Sequence, residues 1–394
     1  MEKVSKSAKN FRFLTVSRET YAKKKVGGYL IDTLTLENFR NYETASLKFD
    51  PAVNLIVGEN AQGKTNLLEA AAALSTLKLF RTAQKKEGVR FGSDEARICG
   101  SFHVEGQEIT LDIRLHPNRA MELCRNGVRV RRQSDVRGIL RTVLFCPDDL
   151  MLIRAGAAAR RRFLDTALCQ LRPHYASALA EYERVTAHKL RILKDSEEKP
   201  ALLELLDDFT LRQCRLGSRI VRYRAAYIRK LAELAQGLHA EAAPNEVLTC
   251  MYHTVSTVTD PFASADTIEA ELQQHAFSHR AAEIAARTCL SGPHKDDLIL
   301  HLNGVPAAAY ASQGQTRTAA LALKLAERAV FFDADNAYPV LLLDDVLSEL
   351  DHKRQDFVLN HLGQGQVIIT CCEEETVARF RTGAVFHVQS GKVV

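Results

Sequence analysis

Two kinds of apolar pattern run along the sequence and predict two kinds of β-strand. Apolar and polar positions alternate over residues 98–104 and 109–115, and this period of two predicts half-buried strands. Apolar residues at 31, 34, 36 and 39, and then at 45, 47 and 49, predict two further strands. Glu105-Gly106 and Asn126-Gly127 are turn signals that predict β-hairpins. Continuous apolar runs predict parallel strands buried on both faces, and they cover residues 53–57, 338–343 and 366–370.

A long segment between these strands has a helical pattern. Residues 150–287 are rich in Ala, Leu, Arg and Glu and contain few strand signals, so they predict an inserted α-helical lobe. Beyond the lobe, β structure restarts near residue 298 and a long helix covers residues 312–333. We therefore expect an α/β fold with four parts: a flexible basic extension (1–29), the N-terminal part of a head (30–149), the lobe (150–287) and the C-terminal part of the head (288–394).

The strongest local motif follows the apolar run at residues 53–57. It fits G-x-x-x-x-G-K-[ST] and precedes a strong helix-forming segment, so it predicts a phosphate-binding loop. Its residues are Gly58, Glu59, Asn60, Ala61, Gln62, Gly63, Lys64 and Thr65. Backbone N–H groups of such a loop bind phosphate oxygens, its lysine reaches the β and γ phosphates, and its hydroxyl binds Mg²⁺. ATP and Mg²⁺ are the predicted cofactors.

A pair of carboxylates ends the apolar run at residues 338–343. Asp344 is expected to bind Mg²⁺, and Asp345 is expected to act as a general base that orients the attacking water. Ser348 and Asp351 follow at once. Two interpretations of this segment are open: a helix start with Ser348 as N-cap, or the D-loop of an ATPase.

Ser312, Gln313, Gly314 and Gln315 precede the long helix, whose first N–H groups can bind an anion. The order of phosphate loop, Ser-Gln-Gly-Gln, Asp-Asp and Ser-Glu-Leu-Asp resembles that of ATP-binding-cassette heads. In that architecture two heads sandwich ATP, with the loop of one facing the serine-bearing signature of the other. The resemblance implies an ATP-dependent homodimer.

The net charge of +5 is concentrated at one end of the chain. Residues 1–29 contain eight Lys or Arg and two Glu, so the remaining residues carry a net charge of −1. Nucleic-acid binding therefore requires local basic patches. No apolar run approaches the roughly 20 residues of a membrane span, and a secretory signal is absent from the first residues. We expect a soluble, cytoplasmic, nucleoid-associated protein without a membrane partner.

Two clusters of arginine are candidates for contact with DNA. Arg212, Arg215, Arg219 and Arg222 are spaced to lie on one face of a helix, as a positive stripe. An alternative is that nearby acids neutralise this stripe within the molecule. Arg129 and Arg131 belong to a second cluster around the Asn126-Gly127 hairpin. Neither cluster has the dense aromatic residues that stack on single strands, so backbone contact with duplex DNA is favoured.

Five ordered motifs together resemble the RecF family, which is related to the SMC heads. They lie at residues 36–42, 160–165, 292–297, 312–318 and 343–351. The resemblance implies an ABC-type, SMC-like P-loop ATPase head with an inserted helical lobe. It also implies slow, DNA-dependent ATP hydrolysis, binding to double-stranded and gapped DNA, and work with RecO and RecR to place RecA in recombinational repair and replication restart.

Two other functions share parts of this pattern. The ATPase subunit of a membrane transporter would have a smaller helical lobe, a Leu-Ser-Gly-Gly-type signature and a switch histidine, whereas Cys371 stands at the switch position here. An SMC-like structural protein that bridges DNA would need long heptad repeats, and residues 150–287 are too few and lack sustained a/d spacing. Both remain alternatives at the level of sequence.

Overall fold

The structure is a computed structural model that describes residues 28–82, 84–255, 258–372 and 383–394. Residues 1–27 of the predicted extension therefore lie outside the described residues. The strands are β1 (Leu30–Phe39), β2 (Tyr42–Lys48), β3 (Val53–Val57), β4 (Ala96–Val104), β5 (Gln107–Leu115), β6 (Glu122–Arg125), β7 (Val128–Arg129), β8 (Thr142–Phe145), β9 (Leu248–His253), β10 (Asp297–Leu302), β11 (Val305–Pro306), β12 (Val340–Asp344), β13 (Val367–Cys371), β14 (Ala384–Gln389) and β15 (Lys392–Val393).

The α-helices are α1 (Lys64–Thr76), α2 (Pro147–Leu150), α3 (Ala157–Leu171), α4 (Pro173–Asp195), α5 (Leu206–Ala242), α6 (Ala265–Ser278), α7 (Arg280–Ala286), α8 (Ala307–Tyr310), α9 (Gln313–Asp335) and α10 (His352–Asn360). Short 3-10 turns cover Lys85–Gly88, Gln133–Asp135, Pro200–Leu205 and Leu347–Glu349. Helices α1 and α9 lie on opposite faces of the central sheet, because their buried residues belong to two different hydrophobic cores.

An antiparallel sheet in the order β2-β1-β4-β5-β6-β7 contains the strands predicted over residues 31–49 and in the hairpin of residues 98–115. Leu34 and Leu36 of β1 are fully buried and face Leu47 and Ala45 of β2 across the pair. The predicted hairpin turns at Glu105-Gly106 and Asn126-Gly127 both form, and all four residues have positive φ. Both predictions are confirmed. The turns could be predicted because each one is determined by residues adjacent in sequence.

The central sheet has the order β15-β14-β3-β13-β12-β8, and its strands are parallel except β15. Alternate residues of β12 enter different cores: Val340 and Leu342 pack in the core that contains α1, whereas Leu341 and Leu343 pack in the core that contains α9. A continuous apolar run is required here because both faces are covered. Strand ends Val57, Asp344 and Cys371 consequently meet at one edge.

The helical segment shares a core with the central sheet. Leu164 of α3 and Ile228 and Leu231 of α5 are buried in the same cluster as Leu343 and Ile369. The longest helix of the described residues, α5, contains 37 residues. The apolar face of α5 is therefore fixed against the head, and its polar face is left for solvent.

Two details differ from the expectations. The segment 150–287 contains a strand, β9, which pairs with β10 in a separate sheet of order β11-β10-β9, so the β structure near residue 298 does not rejoin the central sheet. Tyr29, expected in the flexible extension, is buried, and its hydroxyl donates to Asp335 at 2.9 Å. The ordered head thus includes Tyr29.

Candidate functional site

The loop of residues 58–65 connects β3 to α1 at the carboxyl edge of the central sheet. Gly63 has φ 120°, a conformation that favours glycine, and a Cβ there would lie 2.7 Å from Asn41 Nδ2 and 2.8 Å from the Tyr42 hydroxyl. A Cβ on Gly58 would lie 2.4 Å from the Val388 carbonyl oxygen. Neighbouring residues therefore leave no room for a side chain at either motif glycine.

The rest of the loop is held by residues distant in sequence. Asn41 Nδ2 and the Gly391 N–H donate to the Gln62 carbonyl at 2.9 and 3.0 Å, and the Ser390 N–H donates to the Gln62 side chain. Glu59, Asn60 and Ala61 are exposed at the tip of the loop. The chain thus fixes the base of the loop and leaves its tip accessible.

Lys64 is buried with its amine inside the loop. Its Nζ donates to the carbonyls of Gly58 and Glu59 at 2.7 and 2.8 Å, and it lies 3.1 Å from Cys372 Sγ. The carbonyls of Gly58 and Glu59 point into the loop and accept from the lysine, so the loop surrounds the ammonium group. A cation is thereby held where the sequence places the phosphates.

Thr65 and Asp344 come together as predicted. The Thr65 hydroxyl donates to Asp344 Oδ1 at 2.9 Å, and the Thr370 hydroxyl of β13 donates to the same oxygen at 2.9 Å. Burial raises the pKa of the Asp344 carboxyl, and the charge of Asp345 acts in the same direction. A hydroxyl and a carboxylate side by side form an oxygen donor set of the kind that Mg²⁺ prefers.

Asp345 follows the end of β12 with φ 51°, and its N–H donates to the Thr370 hydroxyl at 2.9 Å. The Cys372 thiol lies 3.8 Å from Asp345 Oδ2 and donates to Asn60 Oδ1 at 2.9 Å. Cys371, at the predicted switch position, is buried in β13 instead. Cys372 is therefore the cysteine that joins the loop, its lysine and the second carboxylate.

Ser312 and Gln315 form a capping box at the start of α9. The Ser312 hydroxyl accepts from the Gln315 N–H at 3.2 Å, and the Ser312 N–H donates to the Gln315 side chain at 2.8 Å. Gln315 Nε2 also donates to Glu246, beyond the end of α5. Ser312 and Gln313 are exposed, and none of the hydrogen bonds between described residues joins this segment to the loop 58–65.

The segment after Asp345 shows which residue caps α10. Asp351, not Ser348, is the N-cap, because its carboxylate accepts from the Arg354 N–H at 3.0 Å. The Ser348 hydroxyl instead donates to the Asp345 carbonyl at 2.6 Å. The interpretation of Ser348 as the N-cap is wrong, and its contact is to the candidate catalytic aspartate.

The arginine stripe lies on the exposed face of α5. Arg212, Arg215, Arg219 and Arg222 are all exposed, and Arg215 has an ion pair with Glu269 at 3.6 Å. Arg224 is instead buried, where it pairs with Asp165 and donates to the Pro293 carbonyl. In the hairpin cluster, Arg129 and Arg131 are exposed, and Arg129 has a long ion pair with Glu122 at 3.9 Å.

Comparisons with known proteins assign the chain to a family. The family model described as RecF/RecN/SMC N terminal domain matches residues 30–393. A curated DNA replication and repair protein RecF from Agathobacter rectalis is 38% identical over 367 residues, which cover 92% of this chain and 98% of that protein. The chain belongs to the RecF family. The RecF of Bacillus subtilis is 36% identical over 370 residues, with 92% and 99% of the two chains covered.

Solved structures agree with the RecF assignment. A structure described as the recombination mediator protein RecF-ATPrS in the RecFOR pathway has a TM-score of 0.87 and 30% identity, and it covers 93% of this chain and 98% of its own. An SMC head domain from Pyrococcus furiosus has a TM-score of 0.53 and 16% identity, and so shows likeness of fold alone. The predicted fold class, an ABC-type and SMC-like head, is confirmed.

Four residues in or beside the site were absent from the sequence-based candidates: Thr370, Cys372, Glu246 and Arg354. Thr370 and Cys372 lie at the end of an apolar run, and their position at the carboxyl edge was the available signal. Glu246 and Arg354 reach the site only through tertiary contacts. Among the described residues, no helix has the length and hydropathy needed to span a membrane.

Proposed function

We propose that this RecF-family chain is an ATP-dependent DNA-binding protein of recombinational repair and replication restart. The observation that carries the proposal is the hydrogen bond between Thr65 of the loop and Asp344 of β12 at 2.9 Å. It joins the two nucleotide motifs into one site at the edge of the sheet. Membership of the RecF family supports a role in repair and replication, since curated members are named DNA replication and repair proteins.

Residues 58–65 are the proposed ATP site. Their N–H groups and the Lys64 ammonium supply positive charge for the phosphates, and a related RecF has been solved as RecF-ATP. Thr65 and Asp344 would hold Mg²⁺, because the hydroxyl and carboxylate are already in contact. Mg²⁺ when bound neutralises phosphate charge and orients the phosphates.

Asp345 is the proposed general base for slow hydrolysis stimulated by DNA. Its carboxylate lies at the same edge as Lys64, and Cys372 contacts both residues. Asp is one methylene shorter than the Glu of faster cassette ATPases, so its reach towards a water is shorter. We expect slow ATP hydrolysis, and we expect the bound nucleotide to regulate the affinity for DNA.

The proposed active form is a homodimer with ATP between the subunits. Ser312, Gln313, Gly314 and Gln315 of one subunit would face the loop of the other, and Ser348 and Asp351 would line the interface as the D-loop. The exposure of Ser312 and Gln313 supports this arrangement, because a signature that acts on a second subunit must be accessible.

The exposed stripe on α5 is the proposed contact with duplex DNA, and Arg129 and Arg131 are a second candidate surface. We expect contact with the phosphate backbone and little sequence preference. Gapped DNA is a proposed ligand. RecO and RecR are proposed partners, since related solved structures are described as part of the RecFOR pathway.

The change Lys64→Met tests the ATP site, with Lys48→Met on an exposed strand position as control. Loss of the ammonium removes charge-assisted hydrogen bonds of about 1.5–3 kcal/mol, so ATP affinity should fall at least about tenfold. ATP-dependent retention on DNA should be lost together with it. Titration of a fluorescent ATP analogue measures the first effect, and an unchanged affinity would refute the assignment of the loop.

A further inference from the structure

Arg354, in the first turn of α10, connects the signature segment to the D-loop within one chain. Its Nη2 donates to the Gly314 carbonyl at 2.8 Å, its Nε donates to the Thr318 hydroxyl at 3.0 Å, and its Nη1 pairs with the Asp351 carboxylate. Each of the three nitrogens thus has a different partner. The fixed fork of a guanidinium can satisfy three acceptors at once, whereas a lysine ammonium is a single point.

The glycine of the signature is explained by this arginine. A Cβ on Gly314 would lie 2.9 Å from Arg354 Nη2, so any larger residue would displace the guanidinium. The motif glycine therefore allows the side chain of α10 to reach the first turn of α9. A second, longer ion pair joins the same two segments, Arg317 to Glu349 at 3.6 Å, and its exposure makes it weak.

The D-loop is in turn attached to Asp345. Gln355 Nε2 donates to the carbonyls of Leu347 and Leu350, and the Ser348 hydroxyl donates to the Asp345 carbonyl. These bonds form a continuous connection from Asp345 through residues 347–351 to Arg354 and then to Gly314. The signature and the segment that carries the candidate general base are therefore joined through Arg354.

We propose that Arg354 is a positioning residue that sets the signature of each subunit relative to its own Asp345. This inference rests on the proposed function, because the signature serves the ATP held by the partner subunit, whereas Asp345 serves the ATP held by its own. Arg354 thereby couples the two nucleotide sites of the dimer. Its loss should leave the loop 58–65 intact, since Arg354 has no contact there among the described residues.

The test compares Arg354→Ala with Lys353→Ala, an exposed neighbour in the same turn. Equilibrium binding of a fluorescent ATP analogue to the monomer should be unchanged in both variants. In Arg354→Ala the ATP-induced dimer should weaken and kcat should fall, each by about tenfold or more, because hydrogen bonds of a charged group are lost. Lys353→Ala should match the wild type.

Arg354→Lys keeps the charge and guards against a folding defect in the alanine variant. Compared with Arg354→Ala, it should fold as stably as the wild type but recover at most part of the dimerisation and kcat, because one ammonium cannot replace the three-way guanidinium contact. Wild-type dimerisation and kcat in a folded Arg354→Ala or Arg354→Lys protein would overturn the inference, and so would a matching loss of monomer ATP affinity. Failure of the wild type itself to bind ATP or dimerise would instead refute the proposed function.

Discussion

At the scale of single residues, His294 has an unusual environment. Its Nδ1 is 2.6 Å from the Tyr182 hydroxyl and its Nε2 is 3.3 Å from the Cys289 carbonyl. Burial lowers the pKa of His294 from 6.5 to about 4, and Lys295 and Arg161 act in the same direction. The imidazole is therefore neutral in the folded protein at pH values where it is charged in the unfolded chain.

This pKa shift predicts a loss of stability in mild acid. The unfolded chain binds a proton at His294 below about pH 6.5, whereas the folded protein does not until about pH 4. The free energy of unfolding therefore decreases as the pH falls from 6.5 towards 4. Between pH 7 and pH 5 the wild type should lose about 2 kcal/mol more unfolding free energy than His294→Gln. Urea unfolding at both pH values measures this difference, with the exposed His174→Gln as control. Equal losses in wild type and His294→Gln would show that burial does not hold this imidazole neutral.

Residues of the site differ in how far the sequence could identify them. Lys64 and Thr65 belong to a contiguous motif whose local geometry follows from Gly63, and Asp344 ends an apolar run that must lie beside it. Thr370 and Arg354 act through hydrogen bonds that span 26 and up to 40 positions in sequence. No local pattern encodes such pairs, so only the folded chain shows them.

At the scale of elements, α5 presents its arginine stripe along one exposed face. The triple change of Arg215, Arg219 and Arg222 to Ala should weaken binding to unrelated duplexes by a similar factor. It should also reduce the slope of log affinity against log salt by up to about 0.9 per lost phosphate contact. ATP binding should be unaffected, because the stripe has no contact with the loop among the described residues.

Fluorescence anisotropy over a range of salt concentrations measures this slope. The matched control changes Arg184, Arg191 and Lys194 of α4 to Ala, which removes the same charge from exposed positions of another helix. A wild-type slope in the stripe variant would assign the stripe to a protein partner or to the molecule itself. Arg129 and Arg131 would then be the leading candidates for DNA contact.

The pattern of elements was predictable where burial on one or two faces sets the residue period. The continuous apolar runs form parallel strands, and the alternating segments 98–104 and 109–115 form an antiparallel pair in the second sheet. The strand β9 lies inside a helical segment, and its partner β10 is 44 or more residues away along the chain, so its pairing depends on tertiary packing. The division into parts at residues 149 and 287 stays a proposal, and the shared core argues that lobe and head fold together.

At the scale of the whole molecule, the proposed dimer requires two chains to complete each ATP site. The loop, Asp344 and Asp345 lie together in one chain, whereas the exposed Ser312 and Gln313 have no hydrogen bond to that loop among the described residues. A second subunit would bring a signature to each loop. ATP should therefore convert monomers to dimers, and the effect should depend on both surfaces.

Sedimentation velocity of Ser312→Arg with and without ATP tests whether ATP joins two subunits through this segment. The arginine would place bulk and charge where the signature should meet the partner's nucleotide, so the variant should bind ATP with wild-type affinity and remain a monomer. Ser264→Arg is the matched control, because it also removes a serine N-cap, at the start of α6, and should dimerise normally. An ATP-induced dimer of Ser312→Arg with the wild-type dissociation constant would contradict the ATP-sandwiched dimer.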